Sequence, residues 1–209
     1  MADDLAAMIA DIEDDIERSD TAAIRTKITR AIKHYQSSRF WFNESRDTTF
    51  NTVASQSDYT IGTDIPATFY TIDSVWVTFG SDVLEVRKTD YLNLEDLLGG
   101  TTTESVPLLH SYVGGLIRLY PQPDTVYAVR VTGHEKIAAP ATDGEANNPW
   151  MIDAYDLIKA RAMAKLFAER YRDAEGAAIQ RAVELDALSE LQRITNARTG
   201  TGSFRPTQF

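Results

Sequence analysis

Leu5, Met8, Ile9, Ile12 and Ile16 recur three and four residues apart with acidic residues between them, the spacing of one apolar helix face. The break "RSD" at 18–20 offers Ser19 or Asp20 as the cap of a second helix. Its apolar stripe is Ile24, Ile28, Ala31, Ile32 and Tyr35, while Thr26, Lys27, Arg30 and Lys33 take much of the other face. Two amphipathic helices joined by a tight turn make an antiparallel hairpin, which cannot bury both stripes by itself.

After "SRFWFNESRDTTF" the period changes from helical to extended, with Thr-, Val- and aromatic-rich stretches punctuated by turns. Within 69–79 one parity holds Phe69, Val75, Val77 and Phe79 and the other Tyr70, Ile72 and Trp76, so apolar material is expected on both faces. Gly80-Ser81 reads as a hairpin turn. Residues 89–98 read as a short helix capped by Thr89, followed by the loop "GGTTTES". Gly114-Gly115 frees a turn before the strand 116–120. Pro121-Gln122-Pro123-Asp124, which fixes φ and removes amide donors, is expected to join that strand as a hairpin to a strand over 126–132.

Helical patterning returns after "APATDGEANNPW", with Pro149 suited to a first helical turn. Residues 151–171 are apolar almost all round, as a central helix should be. Asp173 restarts a helix lined by Ile179, Val183, Ala187, Leu191 and Ile194, weakened at Gly176 by about 1 kcal/mol relative to alanine. The expected fold class is α+β: a discontinuous four-helix bundle with an inserted antiparallel β-domain and an extended C-terminal tail. The boundaries fall at 1–46 for the helical hairpin, 47–140 for the β-domain, 141–197 for the second half of the bundle and 198–209 for the tail.

Composition narrows the function. In 209 residues, 43% are hydrophobic and 25% charged, as in an ordinary globular protein, and no apolar run approaches the roughly 18–20 residues of a membrane helix. The start "MADDLAAMIADIEDD" is acidic where a signal peptide is basic, which argues against export. Cysteine is absent, excluding disulfide and thiol chemistry. A net charge of −10 argues against a protein that grips DNA phosphates, and suits a surface that DNA passes without sticking.

Candidate chemistry is sparse. His34, His110 and His134 lie far apart without metal-ligand spacing and read as surface or half-buried histidines. The acidic run Asp11, Glu13, Asp14, Asp15, Glu17 lacks the glycine and ligand order of a calcium loop and reads as a solvated helix face; Asp143-Gly144-Glu145 reads as a turn. Gly99-Gly100-Thr101 and Gly200-Thr201-Gly202-Ser203 lack the lysine of a phosphate loop. Phe40-Trp41-Phe42 reads as packing at a helix end rather than as a stacking platform. No catalytic, metal or cofactor residue emerges, and the expectation is a non-enzymatic protein without cofactors.

In their order, the hairpin broken at "RSD", "ASQSDYTIGTDIPATFYTIDSVWV", "LLHSYVGGLIRLYPQPDTVYAVRV" and "NNPWMIDAYDLIKARAMAKLFAERYRDAEGAA" resemble the head-to-tail adaptor (connector) proteins of tailed bacteriophages across nearly the whole chain. The resemblance implies a structural virion protein at the head-tail junction, found in the host cytoplasm during assembly. It would form a ring, typically of twelve copies, that binds the portal, meets a downstream tail or neck protein and continues the DNA channel. It implies proximity to DNA without specific binding, and no membrane. The alternatives are another neck or tail ring protein, such as a stopper or tail-completion protein, or a carbohydrate-binding module of a host-recognition protein. The tail "TNARTGTGSFRPTQF", residues 195–209, carries arginines and no carboxylate side chain. It is expected to dock on the portal or a neighbouring subunit through Phe204 and Phe209 as anchors, with Arg198 and Arg205 facing acidic surface.

Overall fold

Helix α1 (Leu5–Ile16) begins where the Asp4 carboxylate accepts the Ala7 amide at 2.8 Å and closes at Glu17, whose left-handed backbone turns its own amide onto the Asp14 and Glu13 carbonyls. Helix α2 (Thr21–Tyr35) follows directly. Asp20 starts it through its carbonyl, which accepts the Ala23 and Ile24 amides, while its carboxylate pairs with Arg170 instead of capping. The computed structural model describes residues 4–66, 68–98 and 103–199. The chain divides into two compact units, Met1–Phe42 with Ile137–Phe209, and Asn43–Lys136.

In the first unit, α4 (Pro149–Ile152), α5 (Tyr155–Leu166) and α6 (Ala174–Thr199) complete the helices around a core that includes Met8, Ile12, Ile28, Ile32, Phe40, Trp150, Ile158 and Leu166. Asn148 caps α4 by accepting the Trp150 amide at 3.2 Å, with Pro149 at the first helical position. Helix α5 is buried nearly all round through Leu157, Ile158, Ala160, Ala162, Met163, Ala164 and Leu166. The single central helix expected over 151–171 is in three pieces: α4, α5 after a break at Asp153–Ala154, and a π-helical turn over Phe167–Tyr171. A stretch with apolar residues on almost every face shows no clear change of period at a two-residue break, so the pattern did not reveal it. The Asp173 carboxylate caps α6 through the amides of Glu175 (3.1 Å) and Gly176 (3.0 Å). Helical structure then continues past Ala197 to Thr199.

The second unit is a curled seven-stranded sheet of β1 (Glu44–Asn51), β2 (Asp58–Thr60), β3 (Phe69–Phe79), β4 (Asp82–Lys88), β5 (Leu109–Val113), β6 (Leu116–Tyr120) and β7 (Ala128–Glu135), in the order β1-β7-β3-β4-β5-β6-β2. Tyr59, Ile65, Val75, Val77, Ile117, Leu119, Val129 and Val131 form its core. With the helices this confirms an α+β protein, with one departure from the expected antiparallel sheet. Strands β4 and β5 pair in parallel at Arg87–Leu109 and Lys88–His110, the helix α3 (Tyr91–Leu98) lying in the connection between them.

Three local expectations are corrected. The β6–β7 hairpin does not form: β6 pairs with β5 and β2, whereas β7 pairs with β1 and β3. Two prolines remove amides that a hairpin would use, and the backbone there bonds to loops, Pro123 accepting the Ser55 amide (2.8 Å) and Gln122 the Ser105 amide (2.9 Å). The Tyr120–Pro121 peptide is cis. Helix α3 is capped by Asp90, which accepts the Leu92 amide at 3.0 Å, while Thr89 donates its amide to His110. Finally, register shifts in β3 between Phe69 and Thr71 and between Ile72 and Ser74 put Ile72 in the core with Val75 and Val77, leaving Tyr70 and Phe79 half exposed and Trp76 half-buried, so only one face of β3 enters the core. The turns at Gly80-Ser81 and Gly114-Gly115 connect β3 to β4 and β5 to β6 as read, Gly114 and Gly115 both at positive φ (63° and 82°).

Candidate functional site

The histidines do not converge on a site. His34 is exposed on α2, but His110 and His134 are buried, not at the surface. The His110 Nδ1 lies 2.7 Å from the Val86 carbonyl and donates to it, while Nε2 is buried without a hydrogen bond. Burial pushes this imidazole below its ordinary value, against the pull of the Val86 carbonyl; Lys88 lowers it further and Glu85 raises it. The unfolded chain takes up a proton near pH 6.5, about the ordinary histidine value, and the folded chain resists it. The stability tied to neutral His110 is therefore complete above that pH and is lost as the pH falls through it toward the folded value. A melting temperature that drops between pH 7 and pH 5 should drop less in His110→Gln. Equal slopes would remove His110 from the acid response, since His34, also lowered by burial and then Arg161, is present in both proteins.

The acidic run on α1 is not simply a solvated face. Asp11 and Asp15 accept from the Lys159 ammonium at 2.6 and 2.9 Å, and Asp11 also accepts the Tyr155 hydroxyl at 3.1 Å. Burial alone would lower the Lys159 pKa, but the hydrogen bonds to Asp11 and Asp15 hold it above the ordinary value. Glu13 accepts the Thr21 hydroxyl at 2.7 Å, tying α1 to the start of α2. In the 139–150 segment, Asp143 receives the Arg25 guanidinium through both carboxylate oxygens, and Glu145 accepts the Ala141 amide (2.7 Å) and Asn148 (3.0 Å).

Two polar clusters went unread in the sequence. Glu184, buried within α6, accepts both the Tyr35 hydroxyl and the Arg161 guanidinium, and burial followed by Glu184 pushes the Tyr35 phenol well above its usual range. The only sequence signal was a carboxylate, Glu184, set between Val183 and Leu185. In the β-unit, Arg118 of β6 holds Asp58 through two bonds of 2.6 and 2.7 Å and reaches Glu95 and Tyr91 of α3. Both clusters join elements within one unit. Among the described residues no three His, Asp or Glu side chains stand together as metal ligands, and no helix is long and apolar enough to cross a membrane.

Phe40-Trp41-Phe42 packs within the helical unit. Phe40 is fully buried, and Phe40 and Phe42 meet the Trp150 ring at 6.1 and 5.2 Å between centroids. The Trp41 amide donates to the Thr195 hydroxyl at 3.2 Å, and the Arg198 guanidinium lies 3.7 Å from the centre of the Trp41 ring. Of the four residues expected to contact a partner, Arg198 thus stacks on its own chain at the exposed end of α6. Phe204, Arg205 and Phe209 lie outside the described residues.

A family model described as the SU10 adaptor protein matches residues 3–207. The chain belongs to the SU10 adaptor protein family. The match takes in both parts of the helical unit and the whole β-unit, so family membership concerns the complete α+β arrangement and not one motif. None of the curated proteins compared with the chain matches it. Membership supports a structural adaptor protein of phages, acting in the virion beside other neck or tail proteins, and points away from an enzyme.

Proposed function

We propose that this SU10-family protein is the head-to-tail adaptor whose ring joins the portal to the tail and continues the DNA channel. The observation that carries the proposal is the family match over residues 3–207. The physical character of the chain agrees with it. Partly buried ion pairs and hydrogen-bonded clusters tie the elements of each unit together, as a subunit that transmits force requires, and a net charge of −10 lets DNA slide past rather than bind.

The same charge sets an assembly rule. Twelve like-charged subunits repel one another until a template aligns them, so the purified protein should be a monomer or small oligomer that forms its ring on the portal. Mass photometry with and without purified portal tests this. Expected is a species of low mass alone and a portal complex carrying a full ring on mixing. A portal that recruits no copies of the chain refutes the adaptor assignment, and a stable ring at low concentration without portal refutes the templating.

A further inference from the structure

The β-sheet has an opening in its middle. Strand β4 pairs with β3 from Asp82 through Val86, but with β5 only at Arg87 and Lys88. Successive residues of a strand turn their backbone groups to opposite sides. Arg87 donates its amide to the Leu108 carbonyl on the β5 side at 2.8 Å, so Glu85 and Val83 turn theirs to that same side. Among the described residues nothing bonds the backbone of either. The two outer edges of the sheet are blunted, β1 by a register shift between Ser45 and Thr48 and by Glu44, Arg46 and Asp47, and β2 by its length of three residues. The open stretch of β4, residues 82–86, has no proline, lysine or register shift.

Beside this open edge lies a cleft of about 670 Å³ whose lining includes Leu84, Glu85, Arg87, Leu108, Leu109 and Tyr120. Leu108 is 52% exposed, and Val83 on the open strand 54%. These features select the occupant. Backbone donors and acceptors repeated at every second residue are matched by another extended polypeptide, not by a sugar or a nucleic acid. The apolar walls take its alternate side chains. One carboxylate and one guanidinium at the rim, Glu85 and Arg87, call for a segment without net charge. The described strands of a second copy do not supply it. Strand β1 carries three charges and keeps Phe50 in its own core, β2 keeps Tyr59 there, and β3, β5, β6 and β7 lie inside the sheet. Laying β4 on β4 is a two-fold contact, which pairs copies in twos and closes no ring. Family membership supplies the other source, the neck and tail proteins beside which the chain acts.

We propose that the open edge of β4 and its cleft form a strand-addition site for an extended segment of a neighbouring neck or tail protein, without net charge and apolar at alternate positions, paired to the backbone of Val83 and Glu85 and packed on Leu84, Leu108 and Tyr120. This rests on the adaptor reading. The test places the photo-crosslinking residue p-benzoylphenylalanine at position 108 of the full-length chain, in phage particles assembled with that chain, and maps the cross-linked peptides by mass spectrometry. Expected are cross-links to a different virion protein, in a segment apolar at alternate positions. Their yield per copy should fall about tenfold with Glu85→Pro, which removes one amide of the open edge, and with Leu84→Lys, but not with Glu85→Ala. Proline costs the fold little there, because that amide has no partner in the described chain and strand edges accept proline. Thermal melts check each variant, and if Glu85→Pro unfolds the chain, Leu84→Lys alone decides. Cross-links confined to this chain or its other copies, directed to a charged or helical segment, absent, undiminished in a folded Glu85→Pro chain, or lowered as much by Glu85→Ala overturn the site. Particles that contain the chain leave the adaptor function standing in each of those cases, whereas particles that lack even the wild-type chain remove the function as well.

Discussion

Gly133→Ala should cost the β-unit about 3 kcal/mol or more and lower its melting temperature by about 10 °C or more. Gly133 sits in β7 opposite Ile72 of β3 and Ser45 of β1, beside a register shift in each pairing. A Cβ at this position would stand 2.3 Å from the Thr71 carbonyl oxygen, 3.0 Å from the Phe69 ring and 3.1 Å from the Ile72 Cα. Two of those three contacts are backbone, held by strand pairing, so the sheet must open to admit a methyl group. Gly144→Ala is the control: nothing lies within 4 Å of its Cβ position, so that change should be neutral or stabilising by up to about 1 kcal/mol. Thermal melts of the two variants, with hydrogen exchange over 43–136, check the contrast. Equal melting temperatures would mean that the β3–β7 bulge is not tightly packed.

Trp150→Ala should destabilise the helical unit by about 3–5 kcal/mol. Its ring is fully buried, meets Phe40 and Phe42 edge to face, and donates its indole N–H to the Ile137 carbonyl at 3.1 Å. Truncation opens a cavity where α4 meets the segment after α2, and a core of helices cannot collapse into it without dragging those elements. Trp150→Phe separates the two contributions. It keeps most of the ring volume and loses the donor, but the Ile137 carbonyl still accepts Gln36 at 3.0 Å, so the cost should be no more than about 2 kcal/mol. Faster hydrogen exchange across 4–42 and 137–199 in Trp150→Ala is the expected signature. A loss as small as that of the phenylalanine variant would show that the aromatic cluster is dispensable.

The sequence alone determined the helical stripes, the extended middle and the two short hairpin turns. Each of these rests on interactions within a few residues: apolar side chains three and four apart share a helix face, and paired glycines at positive φ allow a tight reversal. The spacing of Ile24, Ile28 and Ile32 and the position of Gly114-Gly115 carry that information whatever surrounds them. The tertiary structure decided what pairs with what. Pro121 and Pro123 weaken a β6–β7 hairpin locally, but nothing local says that β7 crosses to β1 and β3, because that choice depends on hydrogen bonds between residues dozens of positions apart. The same holds for the parallel contact of β4 with β5 and for the bulges that move Ile72 into the core. Charge followed the same division. The acidic run on α1 and the cations on α5 are plain in the sequence, but Lys159 meets Asp11 and Asp15, and Glu184 meets Arg161 and Tyr35, only because packing α1, α2, α5 and α6 brings them within hydrogen-bonding distance. The half-covered stripe of α6 was visible as a pattern; that Leu191 is buried while Val183 and Ile179 are left exposed depends on how far the neighbouring helices extend along it.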